Sequence, residues 1–368
     1  MVTELTRKVL LADDQPDVLE ALRLLLKVRG YATETALNPE HALAVAATGN
    51  HDIILIDMNY ARDTTSGSEG LALPDVLRAK RPEVPVVVMT AWSTIDLAVE
   101  AMRRGASDFI TKPWDNDRVL EILARQTEKA QSVSIARRVQ RRLLPSPHFA
   151  APGIQSEYVF RPAGDVGGDL CDIFVTGLSS SSFLLGDISG KGSGAAILMA
   201  NLHATVRSHR DLAATPAQLI THANQLFFEA TEPEHYATLF FASYNAEKRT
   251  LSYVNCGYPA PVLLRDNGSV QRLDATGLVL GAFANADFSE RTIDIAPGDR
   301  LVLFSDGVSE AREDQDDAWV AECVRLLARS GSRSLAESLA MAAAMSSDDV
   351  TVLDIQFTSP ENSEKECT

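Results

Sequence analysis

Five side chains in the first third of the sequence could act as one chemical unit: the adjacent carboxylates Asp13 and Asp14, then Asp57, Thr90 and Lys112. Each lies at the end of a short apolar run or shortly after one: KVLLA at 8–12, DIILID at 52–57, VPVVVMT at 84–90 and DFI before Lys112. Paired carboxylates offer hard oxygens to a divalent cation that keeps several waters, which suits magnesium. A cation beside a further carboxylate neutralises the charge that gathers when a phosphoryl group is transferred to it. In that chemistry Asp57 is the acceptor, Lys112 offsets phosphate charge and the Thr90 hydroxyl donates to a phosphoryl oxygen. Any one of these residues alone reads as a helix cap or a surface charge, whereas the set reads as a site.

A second group of carboxylates recurs in the other half, mostly beside glycine: Gly167-Gly168-Asp169, Gly186-Asp187, Ser305-Asp306-Gly307 and Asp348-Asp349. Glycine lets backbone approach an ion closely, and aspartate is the short, hard ligand that manganese or magnesium prefers. No histidine or cysteine accompanies these motifs, which disfavours zinc. Two cations sharing a carboxylate lower the pKa of a water toward neutrality and aim it in line at phosphorus, with no covalent intermediate on the protein. A single Asp-Gly pair is an ordinary turn. Four such motifs in this order are not.

Positioning these groups requires two kinds of scaffold. Up to residue 126, β-branched runs alternate with helical patterns such as LALPDVLRAK and TIDLAVEAMRRG, which predicts βαβ units and a doubly wound parallel sheet. Ligands gather outside the carboxyl ends of such strands, where the first five residues fall. From 115 to 144 the text turns helical and charged. Val119, Ile122, Gln126, Lys129, Val133, Ala136, Gln140 and Leu143 follow a 3,4 spacing, an imperfect heptad seam that fits either a dimerising coiled coil or a helix packed on its own domains. Pro145, Pro147 and Pro152 stop it. Beyond them come hairpin signals at YNAEKRTLSYV and LRDNGSVQRL, with helical stretches at 193–210, 216–231 and 316–344. This predicts an α+β domain built on an antiparallel β-sandwich flanked by helices. The expected organisation is 1–126, a helical linker 127–151, a second domain 152–357 and a disordered tail 358–368.

The 368 residues suffice for two domains with their own cores, and a formal net charge of −16 argues against nucleic-acid binding, which needs clustered Lys and Arg. Four cysteines without a C-x-x-C pair form neither a disulfide framework nor a zinc set, so a reducing cytoplasm is expected. No stretch approaches the roughly 18 apolar residues of a membrane span, and neither secretion nor membrane insertion is expected.

The Asp13-Asp14 pair, Asp57, the Thr90-Ala91 step and the Lys112-Pro113 pair make residues 8–126 resemble a response-regulator receiver domain of flavodoxin-like fold. The segment DMNYARDTTSGSEGL departs from the commoner form, in which a proline follows two residues after the acceptor. The resemblance implies phosphorylation of Asp57 by a histidine kinase, with magnesium held by Asp13, Asp14, Asp57 and the Asn59 carbonyl. ARRVQRRLLP, FRPAGDVGGDLCD, LLGDISGKGSGAAILMA, FSDGVSEA and SDDVTVL make residues 136–357 similar to the SpoIIE-like, PPM-class metal-dependent serine/threonine protein phosphatases. That likeness implies two manganese or magnesium ions: Asp187 bridges both with the Ile188 carbonyl beside it, Asp306 and Asp348 complete the second, and Asp169 helps hold the first. It leaves open whether Asp348 or Asp349 ligates directly. Arg161 and Lys191 are candidate phosphate binders, each equally readable as a surface residue. Tyr258, in CGYPAP, stands where many relatives have histidine.

The implied activity is removal of phosphate from Ser or Thr of a partner protein, for this family usually an anti-sigma-factor antagonist, under control of Asp57. Two other readings compete. A phosphorylation-gated adaptor would have lost metal carboxylates, yet all are present. A DNA-binding output would need a basic helix-turn-helix after the linker, and none is apparent.

Overall fold

The computed structural model of the chain describes residues 7–58, 68–90, 95–210, 213–311, 318–329 and 334–359. It divides into two compact units, Met1–Ile135 and Ala136–Thr368.

The first unit runs β1 (Lys8–Ala12), α1 (Pro16–Val28), β2 (Ala32–Ala36), α2 (Pro39–Thr48), β3 (Ile53–Asp57), α3 (Ser68–Lys80), β4 (Val86–Thr90), α4 (Ile95–Arg103), β5 (Asp108–Thr111) and α5 (Asn116–Leu143), whose last residues belong to the second unit. The five strands are parallel in the order β2-β1-β3-β4-β5, so the predicted doubly wound sheet is present. Its central strands carry almost no polar residue because both faces are covered. Leu10, Ile54, Ile56, Val86 and Val88 pack with α2 and α3 on one face. Val9, Leu11, Ile53, Leu55 and Val87 pack on the other against Leu22 and Leu26 of α1 and Val119, Ile122 and Leu123 of α5. Each fully buried leucine or isoleucine contributes about 1.5–3 kcal/mol.

The second unit continues β6 (His148–Ala151), β7 (Ile154–Arg161), β8 (Leu170–Gly177), β9 (Ser180–Ile188), α6 (Ser193–His209), α7 (Pro216–Ala230), β10 (Ala237–Asn245), β11 (Thr250–Cys256), β12 (Val262–Leu264), β13 (Val270–Arg272), β14 (Arg291–Asp294), β15 (Arg300–Phe304), α8 (Asp306–Ser309), α9 (Ala318–Arg329), α10 (Leu335–Ala342) and β16 (Val350–Phe357). Two antiparallel sheets form, β14-β11-β10-β9-β8 and β13-β12-β15-β16-β7-β6. Their facing sides share one core, in which Phe183, Phe240 and Tyr253 of the first sheet meet Leu301, Leu303, Leu353 and Ile355 of the second. The outer side of the first sheet packs on α6 and α7 through Leu184, Leu239, Met199, Leu202 and Phe227. The outer side of the second packs on α9 and α10 through Val302, Val352, Val324 and Leu339. Strands covered on both sides lose the alternation of a half-exposed sheet, and β16 is buried at every position except Gln356. The expected sandwich with flanking helices is present. The predicted helical stretch 316–344 resolves into α9 and α10, with 330–333 outside the described residues.

Two polar positions of the heptad spacing are buried within the units themselves. Gln126 Nε2 donates to Asp108 Oδ2 at 2.8 Å, and Gln140 bonds to Gly167. Val119 and Ile122 belong to the first unit's core. The interval expected as a linker ends in β6, which pairs with β7 inside the second unit's sheet.

Candidate functional sites

Parallel β1, β3, β4 and β5 all end on the same edge, and the first group of residues meets there. Asp13 follows β1, Asp57 closes β3, Thr90 closes β4 and Lys112 follows β5. Asp13 and Asp57 are 0% and 1% exposed, and Thr90 is buried. Asp13, Asp14 and Asp57 each offer an oxygen within 4.8 Å of the others, the only such trio of acids among the described residues. Lys112 Nζ lies 2.7 Å from Asp13 Oδ2 and 3.0 Å from Asp57 Oδ2, so one ammonium bridges two buried carboxylates. Its own N–H donates to the Thr90 carbonyl at 2.7 Å, and the Lys112-Pro113 peptide is cis. Three acids against one ammonium leave an excess of negative charge that a divalent cation would neutralise, so the donor set fits magnesium. Asn59, Ala91 and the centre of the long segment after Asp57 lie outside the described residues.

In the second unit Asp187 sits at the end of β9 and Asp306 at the start of α8. Both line an open cleft of about 470 Å³ shared with Ser189, Tyr258, Arg272, Asp274 and Glu310. Asp169 precedes β8 and is 1% exposed; the Thr351 hydroxyl of β16 donates to its Oδ2. Gly168 brings its backbone against Asp187 Oδ1 and the Ile188 carbonyl: a Cβ there would stand 3.0 Å from each. Asp169 thus follows directly on the backbone that approaches Asp187 and Ile188.

The electrostatics of this cluster are those of crowded acids. Burial, then Asp306, Asp348 and Asp349, push the Asp187 carboxyl up to about 7. Burial first and Asp187 second push Asp169 well above the ordinary range, against the opposing Thr351 hydrogen bond. Burial and then Asp348 raise Asp306. Tyr258 is 4% exposed, its hydroxyl has no hydrogen-bond partner among the described residues, and burial followed by Asp169, Asp187 and Asp306 raises its phenol. Acids that repel one another beside an orphaned hydroxyl are the environment a cation would relieve.

The two candidates at the last motif do different things. Asp349 is 8% exposed and both its oxygens accept backbone donors, Oδ1 from Ala163 N at 2.8 Å and Oδ2 from Gly168 N at 2.9 Å. Asp348 is more open and its Oδ2 accepts from Lys191 Nζ at 2.8 Å. Arg161 does not join the cleft lining. Its guanidinium donates to Glu337 Oε2 at 2.9 Å and to the Ala340 carbonyl at 3.3 Å, both on α10.

Sequence reasoning missed several participants. Thr351 could have been found, since it stands two residues beyond Asp349 on a strand and so on the same side. Arg272, Asp274 and Glu310 reach the cleft through hairpin and helix placement, and Gln140 through helix packing, none of which leaves a local signal.

A sheet edge gathers an acid trio with lysine, and a separate β-sandwich places Asp187 and Asp306 in one cleft. Residues 9–124 match the response regulator receiver domain, and residues 179–358 match stage II sporulation protein E (SpoIIE), so the chain joins a receiver domain to a SpoIIE-class domain. The nitrogen assimilation regulatory protein NtrX of Azorhizobium caulinodans is 37% identical over 142 residues, 38% of this chain and 30% of that protein. The phosphoserine phosphatase RsbU of Bacillus subtilis is 29% identical over 188 residues, 51% of this chain and 56% of that protein. The chain therefore spans about half, or less, of these curated relatives. The SiaA-PP2C domain of Pseudomonas aeruginosa superposes with a TM-score of 0.54 at 19% identity, covering 64% of this chain and 99% of that one, a likeness of fold.

Proposed function

We propose that this chain is a receiver-controlled, divalent-metal-dependent phosphatase of phosphoserine or phosphothreonine proteins. The observation that carries the reading is that Asp187 and Asp306 line one cleft, with Asp187 raised to about 7 by burial and by Asp306, Asp348 and Asp349, while buried Asp169 is raised in turn by Asp187. A pair of manganese or magnesium ions bound there supplies Lewis-acid chemistry that activates water for in-line attack on a phosphoester. Asp187 would serve both ions with the Ile188 carbonyl beside it, Asp306 and Asp348 would complete the second, and Asp169 would help hold the first. Asp348 is favoured over Asp349 as a ligand because its side chain is the more open and it acts on both Asp187 and Asp306, whereas Asp349 is buried with its oxygens on Ala163 and Gly168 N–H groups. Lys191, which donates to Asp348, and Arg272, which lines the cleft, are the candidate phosphate binders; Arg161 donates instead to Glu337 and the Ala340 carbonyl on α10.

In the receiver, Asp13, Asp14 and Asp57 would hold magnesium, the phosphoryl group from a histidine kinase would go to Asp57, and Lys112 and Thr90 would bind it. Similarity to RsbU supports a phosphoserine protein as substrate, and an anti-sigma-factor antagonist in a partner-switching pathway is the specific proposal. No helix among the described residues is long and apolar enough to cross a membrane; a cytoplasmic setting is proposed from the kinase-receiver pairing. A homodimer through exposed Ile135 and Val139 of α5 is part of the same proposal.

The test is manganese-dependent phosphate release from a phosphoserine protein by the intact chain, Asp187→Ala and Asp57→Asn, each with and without acetyl phosphate. Activity lost in Asp187→Ala and altered in Asp57→Asn is expected. A chain inert under every condition would instead mark a phosphorylation-gated adaptor.

A further inference from the structure

The loop 163–168 leading into Asp169 has glycine at 164, 167 and 168, half of its six positions, and cannot hold one conformation unaided. It is held from two directions. From just before β16, Asp349 accepts the N–H groups of Ala163 and Gly168. From α5, Gln140 Nε2 donates to the Gly167 carbonyl at 2.8 Å while its Oε1 accepts the Gly167 N–H at 3.2 Å. One turn earlier, Arg137 donates from Nε to the Asp165 carbonyl at 2.9 Å and from Nη2 to Asp165 Oδ1 at 2.8 Å. Gln140 is 4% exposed, and a buried amide that both donates to and accepts from one residue fixes both polar groups of that residue's backbone. Asp169 follows two residues later, directly after Gly168, whose backbone lies against Asp187 Oδ1.

We propose that Gln140 is a positioning residue for the metal centre: its paired bonds to Gly167, aided by Arg137 on Asp165, hold the loop so that Asp169 and Asp187 together retain a divalent cation. This rests on the metal-dependent reading of Asp187 and deepens it, because residues 136–143 of α5 become part of the metal site's scaffold and changes in that segment are felt as changes in metal affinity.

The test uses the full chain with Gln140→Met, which keeps length and volume but removes both bonds. Mn2+ binding is measured without substrate by electron paramagnetic resonance. The component missing in Asp187→Ala marks the second unit's share, separate from the receiver acids. Gln140→Met is expected to weaken that component about tenfold, equivalent to about 1.4 kcal/mol. The Mn2+ half-saturation of phosphate release should rise in parallel, and turnover at saturating Mn2+ should return toward wild type. The thermal transition in EDTA should stay within a few degrees, which separates positioning from a structural role. If Gln140→Met does not fold, Arg137→Met decides in the same way with a smaller shift. An unchanged Mn2+ affinity, whatever happens to turnover, overturns the proposal. Coincident isotherms for wild type and Asp187→Ala overturn the metal reading and this inference with it.

Discussion

Replacing Asp187 with asparagine should make the metal-free second unit more stable while destroying its metal binding. Burial and the neighbouring Asp306, Asp348 and Asp349 raise the Asp187 carboxyl from 3.8 to about 7. A group bound more tightly to its proton in the folded state contributes stability that is fully present below the unfolded value. That stability is lost as pH rises through about 7, so at pH 8 the folded unit carries a charge it would rather not hold. A rise of about three pH units at 1.36 kcal/mol each sets a ceiling of about 4 kcal/mol. Because Asp187 borders an open cleft, solvent screening brings the expected gain nearer 2 kcal/mol. For a unit of this size that is a rise in Tm of roughly 4–8 °C. Differential scanning calorimetry in EDTA at pH 8 should show Asp187→Asn melting later than wild type, with the gap closing toward pH 4. Adding Mn2+ should reverse the order, since only the wild type is stabilised by mass action. An Asp187→Asn transition at or below that of wild type in EDTA at pH 8 would refute the argument that these acids repel.

In the receiver, Lys112→Met removes the ammonium that bridges Asp13 and Asp57 and should lower the first unit's stability in EDTA by about 3 kcal/mol, with Mg2+ restoring part of it, as read by calorimetry. Arg207 donates to both oxygens of Asp172, which is 1% exposed, at 2.5 and 2.7 Å; Arg207→Ala should lower the second unit's stability by about 3 kcal/mol in urea unfolding, although His203 still pairs with that carboxylate. A Cβ at Gly307 would run into the Asp349 carbonyl, so Gly307→Ala should cost about 1–3 kcal/mol and lower Mn2+ affinity, measurable by thermal melting and metal titration.

The heptad spacing on α5 shows how a sequence pattern can hold more than one meaning. Its eight positions are compatible with a coiled coil, yet five of them serve intrachain packing: Val119 and Ile122 in the receiver core, Leu143 against the second unit's core, Gln126 on Asp108 and Gln140 on Gly167. A glutamine in an apolar stripe marks a coiled-coil defect or a buried hydrogen bond equally well, and only the partner's position distinguishes them. The same holds for Arg161. An arginine beside a metal motif suggests phosphate binding, but β7 ends where α10 presents Glu337 and the Ala340 carbonyl.

The amino-acid sequence by itself determined the two architectures and most of the acids. Parallel βαβ order forces strand-end residues onto one edge, so Asp13, Asp57, Thr90 and Lys112 had to meet. Glycine beside aspartate likewise marked where backbone and carboxylate converge. Tertiary structure decided what each acid is free to do. Asp349 and Asp348 are neighbours of the same type, but Asp349 is buried with its oxygens on the 163–168 loop, whereas Asp348 is more open and accepts from Lys191 and from the Asp349 N–H. It also decided which distant residues, Tyr258, Arg272 and Gln140 among them, stand around the cleft or brace its loop. Those relations arise between elements far apart in the chain, where periodicity and spacing carry no information because each strand's local pattern records only that it is buried, not what it is buried against.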